Sequence, residues 1–240
     1  METLPRYPAF SYDSSIVTDG RILLIDEPIS SDIRTELASL NTVDKQDLVF
    51  LEDRLLADRL EPILRQLVLN DPETLFVFPG NGSNYPRRYS QIWQDRPNAS
   101  VPARRFWHPG ADPIALVGRV LPELFLIIGV GVVLVVDDVI SSGQTLSALY
   151  QNNAWRFPRA RWLGAAWVAQ LPRMKSISGV KGYQSITAAC LVQKRNGTGR
   201  VPINSLSTLR LCPEIAESYA SRHFVRPADF LSLIRQRPEG

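Results

Sequence analysis

Residues 132 to 136 read Val-Val-Leu-Val-Val, with no polar position on either face of the run. A strand of this kind is buried on both sides. A sheet achieves that when it is mainly parallel and has helices over both faces. The run is the end of a longer one, Leu124 to Val136, broken by Gly129 and Gly131. That is too short for a bilayer span, which needs about 20 apolar residues. A buried helix end, a glycine turn and a buried strand account for it, and no membrane association is expected.

The rest of the chain alternates in the same manner. Arg21–Asp26 (RILLID), Thr74–Phe78, the stretch 99–107 (ASVPARRFW) and Arg161–Leu171 read as strands. Between Asp47 and Val68, leucines and Ile63 recur at helical spacing, giving an amphipathic helix or two with Pro62 as a joint. Residues 86–95, 112–127 and Ser142–Asn153 also read as helix, with Pro122 a break in the second. After Met174 come a further strand near 185–193, a turn at 196–200 and two short helices, 212–224 and 226–236. Residues 1–20, rich in Pro, Tyr, Ser and Asp, read as an irregular arm. The expectation is a single α/β domain with a parallel central sheet flanked by helices. Its core covers about 46–172, with an N-terminal arm (1–45) and a C-terminal extension (173–240) packed on it.

Charge and cysteine content narrow the function. The chain has 240 residues and a net charge of +3, with no run of five or more Lys/Arg, so nucleic acid is not an expected partner. The first residues, METLPRYPAF, contain no apolar core of a secretory signal. Cys190 and Cys212 are too few for a disulfide framework and read as reduced, buried thiols, which suits the cytoplasm. No Cys or His pair has metal-ligand spacing. Of five tryptophans (93, 107, 155, 162 and 167), most are expected in the core. His223, Arg222, Arg226 and Arg235 read as a solvated face.

The chemistry concentrates just after the apolar run. Asp137 and Asp138 follow it directly, then Val139-Ile140 and the loop Ser141-Ser142-Gly143-Gln144-Thr145, which opens a helix. Parallel sheets bind ligands at the carboxyl ends of their strands. A helix N-terminus offers unpaired N–H groups and a positive dipole end, which suits a phosphate. Ser141, Ser142 and Thr145 add hydroxyl donors, and Gly143 lets the backbone close on the anion. Two carboxylates beside a bare phosphate would repel it. They make sense if they accept hydrogen bonds from ribose hydroxyls or hold Mg²⁺ through water. An Asp–Asp helix cap in an unrelated α/β protein is the alternative.

The segment VVLVVDDVISSGQTL resembles the 5-phosphoribosyl 1-diphosphate (PRPP) signature of the type I phosphoribosyltransferases. It matches in the apolar strand, in Asp137-Asp138, in the apolar pair after them and in the Ser/Thr/Gly loop ending at Thr145. Gln144 stands where many members have a second glycine. The resemblance implies a type I phosphoribosyltransferase-like fold with a variable hood. It implies transfer of 5-phosphoribose from PRPP to a small-molecule acceptor, with release of diphosphate and Mg²⁺ as cofactor. Asp137 and Asp138 would be the catalytic carboxylates and would hold the metal through water or the ribose. Ser141, Ser142, Gly143, Gln144 and Thr145 would bind the 5′-phosphate.

The same resemblance implies a diphosphate loop at Pro79, Gly80, Asn81 and Gly82, with Arg87 and Arg88 nearby. It implies a catalytic loop in the interval Arg104–Gly110, where Arg104, Arg105 and His108 lie, and it leaves room for a homodimer. Trp167 and Gln170, on the strand after the motif helix, would belong to the acceptor pocket, the acceptor being a nitrogenous base. A PRPP- or nucleotide-sensing regulator on the same fold, without transfer activity, is the second reading. No helix-turn-helix is evident near either end, which argues against a DNA-binding repressor.

Overall fold

The computed structural model describes residues 8–69, 71–80, 82–106, 114–117, 129–170, 180–196 and 199–236, with the backbone alone at 85, 104–106 and 114–117. The chain forms two compact units, Met1–Ile16 with Leu56–Gln193, and Val17–Leu55 with Lys194–Gly240.

The first unit is built on a six-stranded sheet. Its strands are β1 (Ala9–Thr18), β4 (Thr74–Pro79), β5 (Asn98–Val101), β8 (Val132–Ile140), β9 (Arg161–Gln170) and β10 (Ser185–Lys194). Their order is β1-β10-β9-β8-β4-β5. Every pair from β10 to β5 is parallel. The apolar run is the centre of this sheet: Val132 to Val136 are at most 1% exposed, as are Phe76 and Phe78 on β4 and Ala165, Ala166 and Val168 on β9. Burial of alternate residues alike means that both faces are covered. On one face Val133, Val135 and Ile186 pack with Leu146 and Leu149 of α4 (Gln144–Asn153). On the other, Trp93 stands edge-on to Phe78 at 6.1 Å, and the Arg87 guanidinium lies over both rings.

The second unit has its own three-stranded parallel sheet, β11-β2-β3, formed by Ile203–Ser205, Arg21–Ile25 and Leu48–Glu52. Helices α1 (Ser31–Ser39), α5 (Leu206–Leu211), α6 (Pro213–His223) and α7 (Pro227–Arg235) complete it. Leu23, Leu37, Leu206 and Phe230 form its centre, with Phe224 stacked on Phe230 at 4.2 Å. Asp26, buried, accepts from both the backbone N–H and the hydroxyl of Ser207, which ties β2 to the start of α5.

Several expectations are corrected. Residues 9–18 are not irregular: they are the edge strand β1, whose polar side chains are tolerated because much of the strand faces solvent. Residues 48–68 divide into strand β3 and helix α2 (Asp53–Val68), and Pro62 lies inside that helix without ending it. Leucine spacing alone does not separate a short strand from a helix. Helix α3 (Asn84–Tyr89) stops well before residue 95. Ile114–Val117 is strand β7, paired antiparallel with β6 (Ala103–Phe106), where helix is expected. Most of the stretch after it lies outside the described residues. Strand β10 belongs to the main sheet beside β9. Cys212 is exposed, unlike Cys190, and Trp155 is exposed whereas Trp162 and Trp167 are core. Among the described residues no helix is long and apolar enough to cross a membrane.

Candidate functional site

Strand β8 runs on past the apolar segment, so Asp137 and Asp138 lie within it and not after it. Its pairing with β4 ends at Val77–Val135, whereas pairing with β9 continues to Ile140–Ala169. The acidic pair therefore lies beyond the β8–β4 ladder, at the carboxyl edge, where β4 gives way to a loop. Adjacent strand residues point to opposite faces. Asp137 is buried at 4% exposure, and Asp138 is half-buried. The Asp137 Oδ1 accepts from the Asp138 backbone N–H at 3.0 Å, and the Asp138 Oδ1 accepts from the Val139 N–H at 2.8 Å. Both carboxylates are thus oriented by the strand's own backbone.

The loop after β4 meets Asp138. A Cβ on Gly82 would stand 2.5 Å from both Asp138 carboxylate oxygens, so only glycine permits this approach. Gly80 has φ +69, the left-handed region that glycine takes at least cost, and its N–H donates to Val101 O at 2.8 Å. Ser83, fully buried, donates to Gly80 O at 3.0 Å and closes the turn. Pro79 is the buried last residue of β4, and Asn81 lies outside the described residues. The structure thus brings the loop at 79–83 and the acidic pair together, although they are more than fifty residues apart in sequence.

The second loop leads into α4. Gly143 is the N-cap, with φ +70. A Cβ there would come within 2.1 Å of Val180. Ser141 and Ser142 are partly exposed, and Thr145 is buried in the first turn. The Ser142 hydroxyl accepts weakly from the Gln144 N–H at 3.4 Å. The Gln144 Oε1 is buried and has no hydrogen-bond partner among the described residues. Beneath this turn the Tyr183 hydroxyl donates to Leu146 O at 3.1 Å. Burial, then the Asp137 charge, then Tyr150 hold that phenol well above its ordinary value, so it remains a donor.

Asp137 registers with Ala166 and Val139 with Val168, which sets Asp138 beside Trp167 on one face. Trp167 is 1% exposed, packs against Tyr89 at 5.7 Å, and its Nε1 lacks a partner among the described residues. Gln170 is buried at the end of β9. Arg104 and Arg105 are on β6, and their side chains lie outside the described residues, as does His108. Arg87 is committed locally, donating to Ser100 Oγ at 2.8 Å and Asn98 Oδ1 at 3.0 Å. Ser83, Tyr183 and Val180 shape the site without a chemical signature of their own. Of these, only Ser83, within the Gly-Asn-Gly-Ser run, was visible as a loop residue.

No family model matches this chain, and no curated protein matches it. Solved structures do resemble it. A purine phosphoribosyltransferase from Pyrococcus horikoshii is 16% identical, covering 62% of this chain and 87% of its own, with a TM-score of 0.40. A xanthine-guanine-hypoxanthine phosphoribosyltransferase from Helicobacter pylori is 15% identical, covering 67% and 92%, with a TM-score of 0.43. The AQ2163 protein from Aquifex aeolicus is 15% identical, covering 73% and 90%, with a TM-score of 0.47. At these scores the likenesses carry no residue's role across to this chain.

Proposed function

We propose that this protein is a phosphoribosyltransferase that moves 5-phosphoribose from PRPP to a nitrogenous base and releases diphosphate. The observation that carries this reading is the approach of Gly82 to Asp138. It brings the glycine loop to the carboxylate pair at one sheet edge, and β8 leads from that pair directly into the Ser/Thr loop that opens α4.

In this reading the amides and hydroxyls of Ser141 to Thr145 hold the 5′-phosphate at the start of α4. Asp138, the more accessible carboxylate, accepts hydrogen bonds from the ribose hydroxyls. Asp137, buried behind it, fixes the Asp138 backbone and adds negative charge. Diphosphate departs from C1 while the acceptor nitrogen approaches from the opposite face, with inversion. Positive charge then grows on the ring, and fixed carboxylates stabilise it without having to reorganise. The loop that carries Gly82 would face the departing diphosphate, with Arg104 and Arg105 as its cations. Trp167 and Gln170 lie on the acceptor's side.

Mg²⁺ fits this donor set. Among the described residues no group of three or more His, Cys, Asp or Glu side chains converges. The ion, however, is commonly held by one or two carboxylates together with substrate phosphates and water. Asp138 would hold it in that way, with Asp137, on the other face of β8, adding only its charge, and the bound ion would neutralise charge on the diphosphate.

The test is diphosphate release from PRPP against a panel of purine and pyrimidine bases. Release with at least one base supports transfer. PRPP binding without release for any base identifies a sensor on the same site, and absence of PRPP binding overturns both.

A further inference from the structure

We propose that the second unit carries an anion site of its own, built for a phosphoryl group. Its centre is Arg21, the first residue of β2, which is 3% exposed. The Arg21 Nη2 pairs with Asp44 at 2.7 Å, but Nε and Nη1 are buried and have no hydrogen-bond partner among the described residues. A buried guanidinium with two unmet N–H groups is costly, and an anion that a small turn of the side chain brought within reach would remove that cost. Arg21 lines a cavity of about 310 Å³. That volume is ample for a phosphate and part of what carries it.

The walls favour negative charge. Lys194, Arg200 and Arg222 line the same cavity and are exposed. None of them forms an ion pair among the described residues. Two carboxylates oppose them. Asp44 is taken by Arg21, and Asp19 accepts from the Asn196 backbone N–H at 2.8 Å and from its side-chain amide at 2.6 Å. Among the described residues, four cations against two engaged carboxylates leave two positive charges on a small cavity. His223 sits on its wall, half-buried.

The framework around Arg21 is tied by backbone bonds. The Arg21 N–H donates to Asp47 O at 2.9 Å. The Thr42 hydroxyl donates to Gln46 O at 2.6 Å, closing the turn that presents Asp44. Gly20 has no room for a Cβ against Asp47 O, at 2.3 Å. Guanidinium is the group whose planar donors match phosphate oxygens, and the compact lysine and exposed arginines supply charge around it.

Calorimetric titration in buffer free of phosphate and sulfate tests this, with inorganic phosphate and adenosine 5′-monophosphate as probes. Two variants separate the sites: Thr145→Val for the loop before α4, and the triple Lys194→Ala/Arg200→Ala/Arg222→Ala for this cavity. One phosphoryl-binding event should survive Thr145→Val and weaken about tenfold or more in the triple variant, which loses charge-assisted bonds. The PRPP-binding event that Thr145→Val weakens should be unchanged in the triple. Tighter binding of the nucleotide than of phosphate marks an ester as the ligand, and the reverse marks the free ion. Arg21→Lys keeps the charge but removes the forked donors, and should weaken the same event. If it does not fold, the triple variant decides alone. The proposal is overturned if no phosphoryl binding survives Thr145→Val, if the surviving event is indifferent to the triple, or if a folded Arg21→Lys binds as the wild type does.

Discussion

Gly82 carries a hydrogen where any other residue would collide with Asp138. Gly82→Ala should force the carboxylate aside at little cost to folding, because only the tip of a half-buried side chain has to move. Ligand binding should suffer more visibly. PRPP affinity should fall by on the order of tenfold, or about 1.4 kcal/mol, while equilibrium denaturation shows a folded protein. Unchanged affinity would separate this loop from the site. Thr145→Val removes one hydroxyl from a charged partner and should weaken 5′-phosphorylated ligands by about 1.5–3 kcal/mol. Calorimetry should show the unphosphorylated nucleoside nearly unaffected.

At the same scale, His223 departs from its reading as part of a solvated face. Burial lowers its affinity for a proton below the usual 6.5, Arg21 and Arg222 add to that, and Asp44 opposes it. Between 6.5 and the lower folded value the unfolded chain binds more protons than the folded one. Stability therefore falls as pH drops through that window. The Asp44 carboxyl, held below its ordinary value despite partial burial by Arg21, titrates lower still and does not confuse the result. Melting curves at pH 7 and pH 5.5, without phosphate, should show a larger drop for the wild type than for His223→Gln. Equal drops would mean that His223 is solvated as the sequence suggests.

At the scale of elements, α4 depends on Gly143. Its φ of +70 would cost an L-residue about 1–2 kcal/mol, and Val180 leaves no room for a Cβ. Gly143→Ala should destabilise by about 2–5 kcal/mol, the sum of backbone strain and overpacking. Adding Val180→Ala should recover only the packing part, which a comparison of denaturation midpoints will show. The motif around this helix was legible because it is local: an apolar strand, two acids and a cap sit within a few residues. Between Asp47 and Val68 helix α2 was legible and strand β3 was not, since Val49-Phe50-Leu51 satisfies a strand of β3's length as well as a helical stripe. Strand β1 was illegible because an edge strand needs little apolar patterning. The approach of Gly82 to Asp138 is a tertiary fact, and no spacing in the sequence announces it.

For the whole molecule, the parallel sheet was legible from the runs buried on both faces. The second unit was not, because its sheet joins strands from both ends of the chain, β2 with β3 and β11. The central claim is that the acidic pair at the edge of the first sheet exists to hold a phosphoribosyl ligand. Asparagine keeps an Oδ1 able to accept the bonds now made to Asp138 and Val139 N–H, and removes two like charges. The deciding measurement is a thermal melt of wild type and Asp137→Asn/Asp138→Asn, with and without PRPP and Mg²⁺. The unliganded variant should melt level with the wild type or slightly above it. PRPP with Mg²⁺ should raise the wild-type midpoint, by about 2.7 kcal/mol of stability at a hundred times its dissociation constant, and should leave the variant unmoved. A variant that melts normally and still responds fully to PRPP would contradict the account. So would one that unfolds far below the wild type without ligand, since the aspartates would then be structural.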